Sequence, residues 1–176
     1  KAKNTINQRK IKSTQCQMNK YGLIGKSLSH SFSKSYFSSF FIENNINASY
    51  DEFEIANIDD VKVLLDSPIN GLNVTIPYKE SIIPFLDELS LEAKEIGAVN
   101  TIKITNGKTK GFNTDAFGFH QSIKPFLTNH HEKAIVLGTG GASKAVAFTL
   151  NNLGIDVFFV SRKPYKIPNL FSYNDL

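Results

Sequence analysis

The sequence predicts an α/β protein of two units, and three observations support that prediction. Strand-like and helix-like apolar periodicities alternate through the first part of the chain. From Ala134, a buried type of strand, a glycine-rich turn, a helix and a second strand follow within about 30 residues, which is the opening of a Rossmann-type dinucleotide-binding unit. A polar run, Thr128–Lys133, separates the two patterns. We therefore expect domains at 18–128 and 129–176, after a non-structural leader at 1–17.

The composition is that of a globular chain. Of the 176 residues, 41% are apolar and 20% are charged, which excludes a disordered protein. No apolar run approaches the roughly 20 residues of a membrane span, so we expect no membrane partner. The single cysteine, Cys16, excludes an internal disulfide framework and a cysteine metal site. The four histidines lack ligand-like spacing, so we predict no metal.

The net charge of +4 arises in the leader. Residues 1–17 hold five basic residues and no acid, and the remainder has 15 bases against 16 acids. The pI of 9.1 therefore does not indicate nucleic-acid binding. The leader lacks the apolar centre of a secretory signal. We interpret it as sequence upstream of a natural start at Met18, with a targeting role as the alternative.

The N-terminal unit begins with a predicted strand, Tyr21–Gly25, and a serine-rich loop at 26–35. Aromatic residues at helical spacing then predict an amphipathic helix against a sheet. Alternation over 49–55 predicts a second strand. Asn57 is suited to cap a helix that runs to Asp66.

The stretch Asn73–Lys79 joins an apolar strand to a proline and a lysine. Because Pro77 ends a strand and suits the first turn of a helix, we expect Lys79 at a strand-to-helix corner. The apolar residues Ile82, Ile83 and Leu86 predict the helix that follows.

Three local signals organise the rest of this unit. Ser90 is suited to cap a helix that reaches Ile96. Asn106-Gly107 between two strand-like runs predicts a β-hairpin. Thr114 or Asp115 should cap a further helix.

In the second unit, two parallel strands and one helix cannot bury both faces of a sheet, so we expect this unit to be incomplete.

The glycine-rich turn consists of Gly138, Thr139, Gly140, Gly141 and Ala142. Glycines let the backbone approach a pyrophosphate, and the following helix N-terminus favours anions. The alternative is a tight turn that binds nothing.

The residues after the last strand predict the nucleotide. An acidic residue about 20 positions past the glycines binds the ribose 2′-hydroxyl in NAD sites. Here Arg162 and Lys163 stand at that place, and a guanidinium can bind a 2′-phosphate. We therefore favour NADP over NAD; a solvated basic turn is the alternative.

Lys79 and Asp115 are candidates for acid–base chemistry. Together, they could hold each other's charge and move a proton to or from a substrate hydroxyl. Their separation in sequence does not establish that they meet, and each could instead be a surface charge or a helix cap.

Five motifs together resemble the shikimate dehydrogenase family. They are His30-Ser31-Phe32-Ser33, Asn73-Val74-Thr75-Ile76-Pro77-Tyr78-Lys79, Gly97-Ala98-Val99-Asn100-Thr101, Gly111-Phe112-Asn113-Thr114-Asp115 and Gly138-Thr139-Gly140-Gly141-Ala142. Their order and spacing match from about Tyr21 to Lys163, so the resemblance covers nearly all of the chain after Met18. Four of the motifs are specific, whereas the glycine turn alone is not.

The resemblance implies a cytoplasmic oxidoreductase that uses NADPH to reduce 3-dehydroshikimate to shikimate, on the pathway to chorismate and aromatic amino acids. The implied substrate ligands are Ser31 and Ser33 for the carboxylate, with Thr75, Asn100 and Asp115 for the ring hydroxyls. Lys79 would be the acid–base group beside Asp115. A monomer or a homodimer is expected.

For the cofactor, NADP(H), the resemblance implies that 138–142 hold the pyrophosphate and Arg162 the 2′-phosphate, with Ser161 and Lys163 beside it. The family usually has asparagine and threonine where Ser161 and Lys163 stand, and proline at the positions of Ser27 and Lys34. Family members are also longer than 176 residues. Two alternatives stay open: a quinate/shikimate dehydrogenase that uses NAD, and an inactive truncated chain that only binds substrate or a partner.

Overall fold

The computed structural model describes residues 18–162 and 169–175. The strands are β1 (Asn19–Gly25), β2 (Ala48–Glu54), β3 (Gly71–Val74), β4 (Glu88–Leu89), β5 (Thr101–Thr105), β6 (Lys108–Phe112), β7 (Lys133–Leu137), β8 (Asp156–Ser161) and β9 (Leu170–Ser172). The α-helices are α1 (Ser33–Glu43), α2 (Val61–Leu65), α3 (Leu91–Ile96), α4 (Asp115–Ile123) and α5 (Gly141–Asn152). The predicted leader at 1–17 lies outside the described residues.

Two sheets confirm the predicted α/β class. The first has the strand order β2-β1-β3-β5-β6-β4, with β1 parallel to both of its neighbours and β5 antiparallel to both of its own. Its core fully buries Ile24, Val74, Ile82 and Ile102. Because β1 and β3 are parallel, the serine-rich loop and the Asn73–Lys79 stretch both start at the carboxyl ends of these strands, on the same side of the sheet.

Local chemistry explains two confirmed elements. The β5–β6 hairpin turns at Asn106 and Gly107, whose φ angles of 52° and 75° are the left-handed values that a type I′ turn requires. Ser90 caps α3, and its hydroxyl accepts a hydrogen bond from the backbone N–H of Ala93 at 3.1 Å.

The predicted helix after Pro77 is wrong. The chain runs through turns as far as Ile82 and then forms one short 3₁₀ helix, Ile83–Phe85. Pro84 lacks a backbone N–H and disfavours helical backbone at the residue before it, so an α-helix cannot continue through this segment. Lys79 therefore lies in a turn and not at a helix start.

Helix α4 begins at Asp115, but its capping side chain is Asn113 and not Thr114 or Asp115. Asn113 Oδ1 accepts hydrogen bonds from the backbone N–H groups of Asp115 at 3.0 Å and Ala116 at 3.3 Å. The buried Asn113 amide also donates to the carbonyl of Ala98 at 3.0 Å. The carboxylate of Asp115 is thereby left available for other partners.

The aromatic helix α1 packs on the sheet, as predicted. Phe41 is buried with Leu23 and Tyr50, and the rings of Phe37 and Tyr50 stack with centroids 4.6 Å apart. The contact fixes the start of α1, and with it the end of the serine-rich loop.

The second sheet has the order β7-β8-β9 and is parallel throughout. The predicted strand–glycine turn–helix–strand is confirmed by β7, α5 and β8, with Val136, Leu150 and Val157 in the core between them. The strand β9 was missed, because three residues give no periodicity. No helix within the described residues is long and apolar enough to cross a membrane.

Candidate functional site

Lys79 and Asp115 meet, although 36 positions separate them in sequence. Lys79 Nζ lies 2.6 Å from Asp115 Oδ2, and the two side chains are only 14% and 30% exposed. Partial burial strengthens their mutual attraction relative to a surface pair. The turn after β3 supplies the lysine, and the first residue of α4 supplies the aspartate.

Asn100 holds the other oxygen of the same carboxylate. Its Nδ2 donates to Asp115 Oδ1 and to Thr114 Oγ1, each at 2.8 Å. Its Oδ1 accepts from the backbone N–H of Thr114 at 2.9 Å and from Thr101 Oγ1 at 3.0 Å. Asp115 is therefore fixed from two sides, by an ammonium group and by an amide.

The structure brings Ser31, Ser33 and Thr75 to one open cleft of about 730 Å³. The loop is ordered by the backbone N–H of Leu28, which donates to a Glu54 carboxylate oxygen at 2.6 Å. The lining of this cleft ends at Pro77, two residues before Lys79. It does not include Lys79, Asn100 or Asp115. The candidate site therefore has two adjoining parts: the cleft with the predicted carboxylate ligands Ser31 and Ser33, and the lysine group formed by Lys79, Asn100 and Asp115.

Sequence reasoning missed Tyr50 and Asn73, whose hydrogen bonds lead to Asn100 and Thr101 beside the lysine. The Tyr50 hydroxyl donates to Asn73 Oδ1 at 2.9 Å. Burial raises the pKa of Tyr50 to about 12; a hydrogen bond with Ser33 opposes the rise and the Glu52 carboxylate adds to it. A polar Asn73 between apolar strand neighbours was the signal that could have identified this connection.

Each glycine of the turn after β7 has a different reason to be glycine. Gly138 has a φ of 105°, which disfavours any side chain. A Cβ at Gly141 would lie 2.8 Å from Lys79 Cβ and 3.2 Å from Ala98 Cβ. Gly140 has an ordinary φ of −81° and open space where a Cβ would stand. Neither a positive φ nor packing requires glycine at this position; Gly140 is the N-cap of α5, which glycine suits, and its open space would also admit an approaching phosphate.

The glycine turn and the lysine site are in contact. Gly141, the first residue of α5, packs against the stem of Lys79, and Lys144 on the same helix forms an ion pair with Glu80. Below them, the buried Thr149 hydroxyl donates to the carbonyl of Ala116 at 3.1 Å. A ligand on this turn would therefore lie beside Lys79.

The predicted nucleotide residues lie at the same end of the second sheet. The backbone N–H of Gly138 donates to the carbonyl of Val160 at 2.8 Å, so the turn adjoins the end of β8. Ser161 ends that strand and Arg162, which is exposed, follows directly. The predicted contact of Lys163 lies outside the described residues. No group of three candidate metal ligands occurs within the described ranges.

These features define the class of protein: an α/β chain that sets a lysine–aspartate pair against a dinucleotide-type turn. Residues 23–102 match the family model described as the shikimate dehydrogenase substrate binding domain. Over these residues, and over the longer alignments described next, the chain is similar to the shikimate dehydrogenase family.

The similarity extends beyond the matched domain. A shikimate dehydrogenase (NADP(+)) from Aquifex aeolicus is 44% identical over 151 residues, which are 83% of this chain and 56% of that protein. A crystal structure of shikimate dehydrogenase 1 from Peptoclostridium difficile is 40% identical, with a TM-score of 0.77, over 90% of this chain and 62% of that one.

A third relative was crystallised with ligands. The shikimate 5-dehydrogenase from Thermus thermophilus, in complex with NADP(H) and shikimate, is 34% identical with a TM-score of 0.73. The alignment covers 84% of this chain and 57% of that one. The chain thus spans a little over half the length of the curated relatives that it matches.

Proposed function

We propose that this chain carries the substrate site and part of the nucleotide site of an NADP-dependent shikimate dehydrogenase, which reduces 3-dehydroshikimate to shikimate. The main support is the contact between the Lys79–Asp115 pair and the glycine turn at Gly141. The Thermus relative, with both small molecules bound, supports the same pairing of ligands.

Lys79 is the proposed acid–base residue. NADPH supplies the hydride when it is bound. As the ketone oxygen gains negative charge, the ammonium group of Lys79 stabilises it and then donates a proton to it, which leaves a hydroxyl on the substrate and a neutral amine on Lys79. Asp115, held by Asn100, keeps the ammonium group of the lysine in place for the transfer.

The substrate is oriented by groups on both parts of the site. Ser31 and Ser33 are proposed to donate to the carboxylate, near the N-terminus of α1 where an anion is favoured. Thr75, Asn100 and Asp115 are proposed ligands of the ring hydroxyls. A cleft lined by Lys26 and several hydroxyl groups, next to a lysine–aspartate pair, suits a small molecule with a carboxylate at one end and hydroxyls at the other.

The nucleotide ligands are the glycine turn with Thr139 and Ala142 for the pyrophosphate, and Arg162 for the 2′-phosphate, with Ser161 and Lys163 as neighbours. The open space at Gly140 and the absence of an acidic residue in the first turn of α5 fit an anion there. We place the substrate unit at 18–128 and the nucleotide unit at 129–176. The same proposal includes a cytoplasmic location and a monomeric or homodimeric state, which gel filtration with light scattering would test.

The test combines titration with turnover. Calorimetry on the chain should detect binding of shikimate and of NADP as separate events. Binding of shikimate without NADP, and no absorbance change at the nicotinamide band, would favour a chain that only binds substrate. Absence of shikimate binding would refute the proposal.

In a full-length version of the protein, Lys79→Ala tests the role of the lysine. It should lower turnover by roughly 10²–10⁴-fold while shikimate affinity changes much less. Lys94→Ala, an exposed lysine on α3, is the matched control and should behave as the parent chain does. A loss of turnover below about threefold would remove Lys79 from this role.

A further inference from the structure

The serine-rich loop is held by both neighbours of β1. Directly after β1, the backbone N–H of Lys26 donates to the carbonyl of Ile76, beyond the end of β3, at 3.3 Å. On the other side, the backbone N–H of Leu28 donates to Oε1 of Glu54, the last residue of β2, at 2.6 Å. The contact with β2 is made by a side chain, so a single substitution can remove it.

Leu28 is the fixed point of this loop. The residue is only 4% exposed, and its side chain packs with Leu23, Phe41 and Tyr50. Because Leu28 has so little contact with water, its backbone N–H needs an acceptor within the protein. Glu54 supplies a charged acceptor, and hydrogen bonds to charged groups are stronger than those between neutral groups.

Two further hydrogen bonds connect Leu28 to the predicted carboxylate ligands. The carbonyl of Leu28 accepts from the backbone N–H of Ser31 at 2.7 Å. Ser31 Oγ in turn accepts from the backbone N–H of Ser33, the first residue of α1, at 3.2 Å. This bond uses the oxygen of Ser31 and not its hydroxyl proton, which can be donated to a ligand. Three consecutive hydrogen bonds therefore run from the end of β2 to the start of α1.

We propose that Glu54 is a positioning residue, whose carboxylate fixes Leu28 and thereby sets Ser31 and Ser33 for the carboxylate of the substrate. The inference rests on the proposed function in taking these serines as carboxylate ligands. The lining of the cleft includes Leu28 but not Glu54, so Glu54 acts through the loop and not on the ligand. Its negative charge repels an anion, so attraction of the substrate does not explain an acid at this position.

The first experiment needs no ligand. Hydrogen exchange of the backbone amides of Leu28 and Ser31 is followed by NMR in the 176-residue chain, in Glu54→Ala and in Glu54→Gln. Alanine removes the acceptor, so both amides should exchange about tenfold or more faster, as expected for one lost hydrogen bond to a charged group. Glutamine keeps an acceptor oxygen at the same side-chain length, so it should restore most of the protection.

Asp51→Ala is the matched control. Asp51 lies on the same strand and pairs with Lys34 of α1, but the two side chains are 51% and 52% exposed, so this surface pair contributes little. Its removal should leave the exchange of both amides unchanged. Glu54 is itself exposed, so its substitution leaves no buried cavity and the fold should be retained. Parent-like exchange in Glu54→Ala, or equal acceleration in Asp51→Ala, would overturn the proposal.

The second experiment measures binding. Glu54→Ala should weaken shikimate binding by about tenfold, because the serines are then set for the ligand only part of the time. Glu54→Gln should restore the affinity. If glutamine binds shikimate as weakly as alanine does, the carboxylate does not act by accepting the hydrogen bond of Leu28, and the proposal fails. If the parent chain does not bind shikimate, the proposed function fails, and the exchange of Leu28 and Ser31 still decides whether Glu54 sets the loop.

Discussion

Alanine substitution at the neighbouring glycines Gly140 and Gly141, in the turn after β7, should affect different properties: stability at Gly141 and nucleotide binding at Gly140. Alanine at Gly141 would bring a methyl group to 2.8 Å from Lys79 Cβ and 3.2 Å from Ala98 Cβ. Both contacts involve atoms next to the backbone, so the side chains cannot rotate away. Alanine at Gly140 would meet no atom within 4 Å, at a φ of −81° that alanine adopts readily.

The magnitudes follow from these contacts. Overpacking costs about 1–3 kcal/mol, and alanine in a helix recovers less than about 1 kcal/mol. Gly141→Ala should therefore lower the free energy of unfolding by about 1–2 kcal/mol. At Gly140, the lower entropy of the unfolded chain stabilises by about 0.4–1 kcal/mol, and the poorer capping ability of alanine offsets it by a similar amount. Gly140→Ala should leave stability nearly unchanged.

Two assays separate the effects. Urea denaturation followed by circular dichroism should show a lower midpoint for Gly141→Ala and an unchanged one for Gly140→Ala. In an NADP titration, Gly140→Ala should bind NADP about tenfold or more weakly. Its methyl group would occupy the space of the phosphate and so prevent one or two hydrogen bonds from the backbone to that charged group. Parent-like NADP affinity in Gly140→Ala would refute the assignment of this glycine to the nucleotide. Parent-like stability in Gly141→Ala would refute the packing of α5 on Lys79.

Three further predictions concern single groups. Arg162→Ala should reduce the preference for NADP over NAD by about tenfold or more in paired titrations. An unchanged preference would rule out the proposed contact between Arg162 and the 2′-phosphate. Because the pKa of Tyr50 is raised to about 12, the unfolded chain loses that proton first, so stability should fall by up to about 2.7 kcal/mol between pH 10 and pH 12. Tyr50→Phe should abolish this fall in urea denaturation, and Tyr21→Phe should not. The Glu80–Lys144 pair is 39–41% exposed, so a double-mutant cycle of Glu80→Gln with Lys144→Met should give at most about 1 kcal/mol of coupling; a value above about 2 kcal/mol would contradict a solvated pair.

The elements that the sequence predicts well are those that neighbouring residues determine. The hairpin at Asn106-Gly107 needs only two residues that tolerate a positive φ. The start of α3 needs only the Ser90 hydroxyl and a free N–H three residues on. Such signals lie within one turn of chain, so tertiary packing does not override them.

The errors arose where two local signals competed. Pro77 suits a helix start, but Pro84 prevents the helix from continuing, and the second effect prevails because it removes a hydrogen bond and clashes with the preceding turn. At α4, three successive polar residues could each have served as the cap. Asn113 does so because it is buried against the carbonyl of Ala98, a partner fifteen positions away in sequence that no local pattern reveals.

The site required contacts that span the whole fold. Sequence reasoning paired Lys79 with Asp115 as candidates but could not bring them within 2.6 Å, since the pairing depends on how β3, β5 and α4 are arranged. Tyr50 carries no motif at all. Its hydrogen bond to Asn73 follows from strand register, which brings the two side chains together only once β2 is paired with β1 and β1 with β3.

The polar run near residue 130 separates two patterns in the sequence but does not separate the packing. Helix α4, which precedes that run, buries Ala116 against Ala145 of α5, which follows it. Asp115 is thus held by α4, which packs against α5. Gly141, the first residue of α5, covers the stem of Lys79. The low exposure of the lysine depends on residues from both sides of the run. The environment of Lys79, the proposed acid–base group, is therefore built jointly by residues from both sides of the run, which ties the proposed proton transfer to the position of the proposed cofactor.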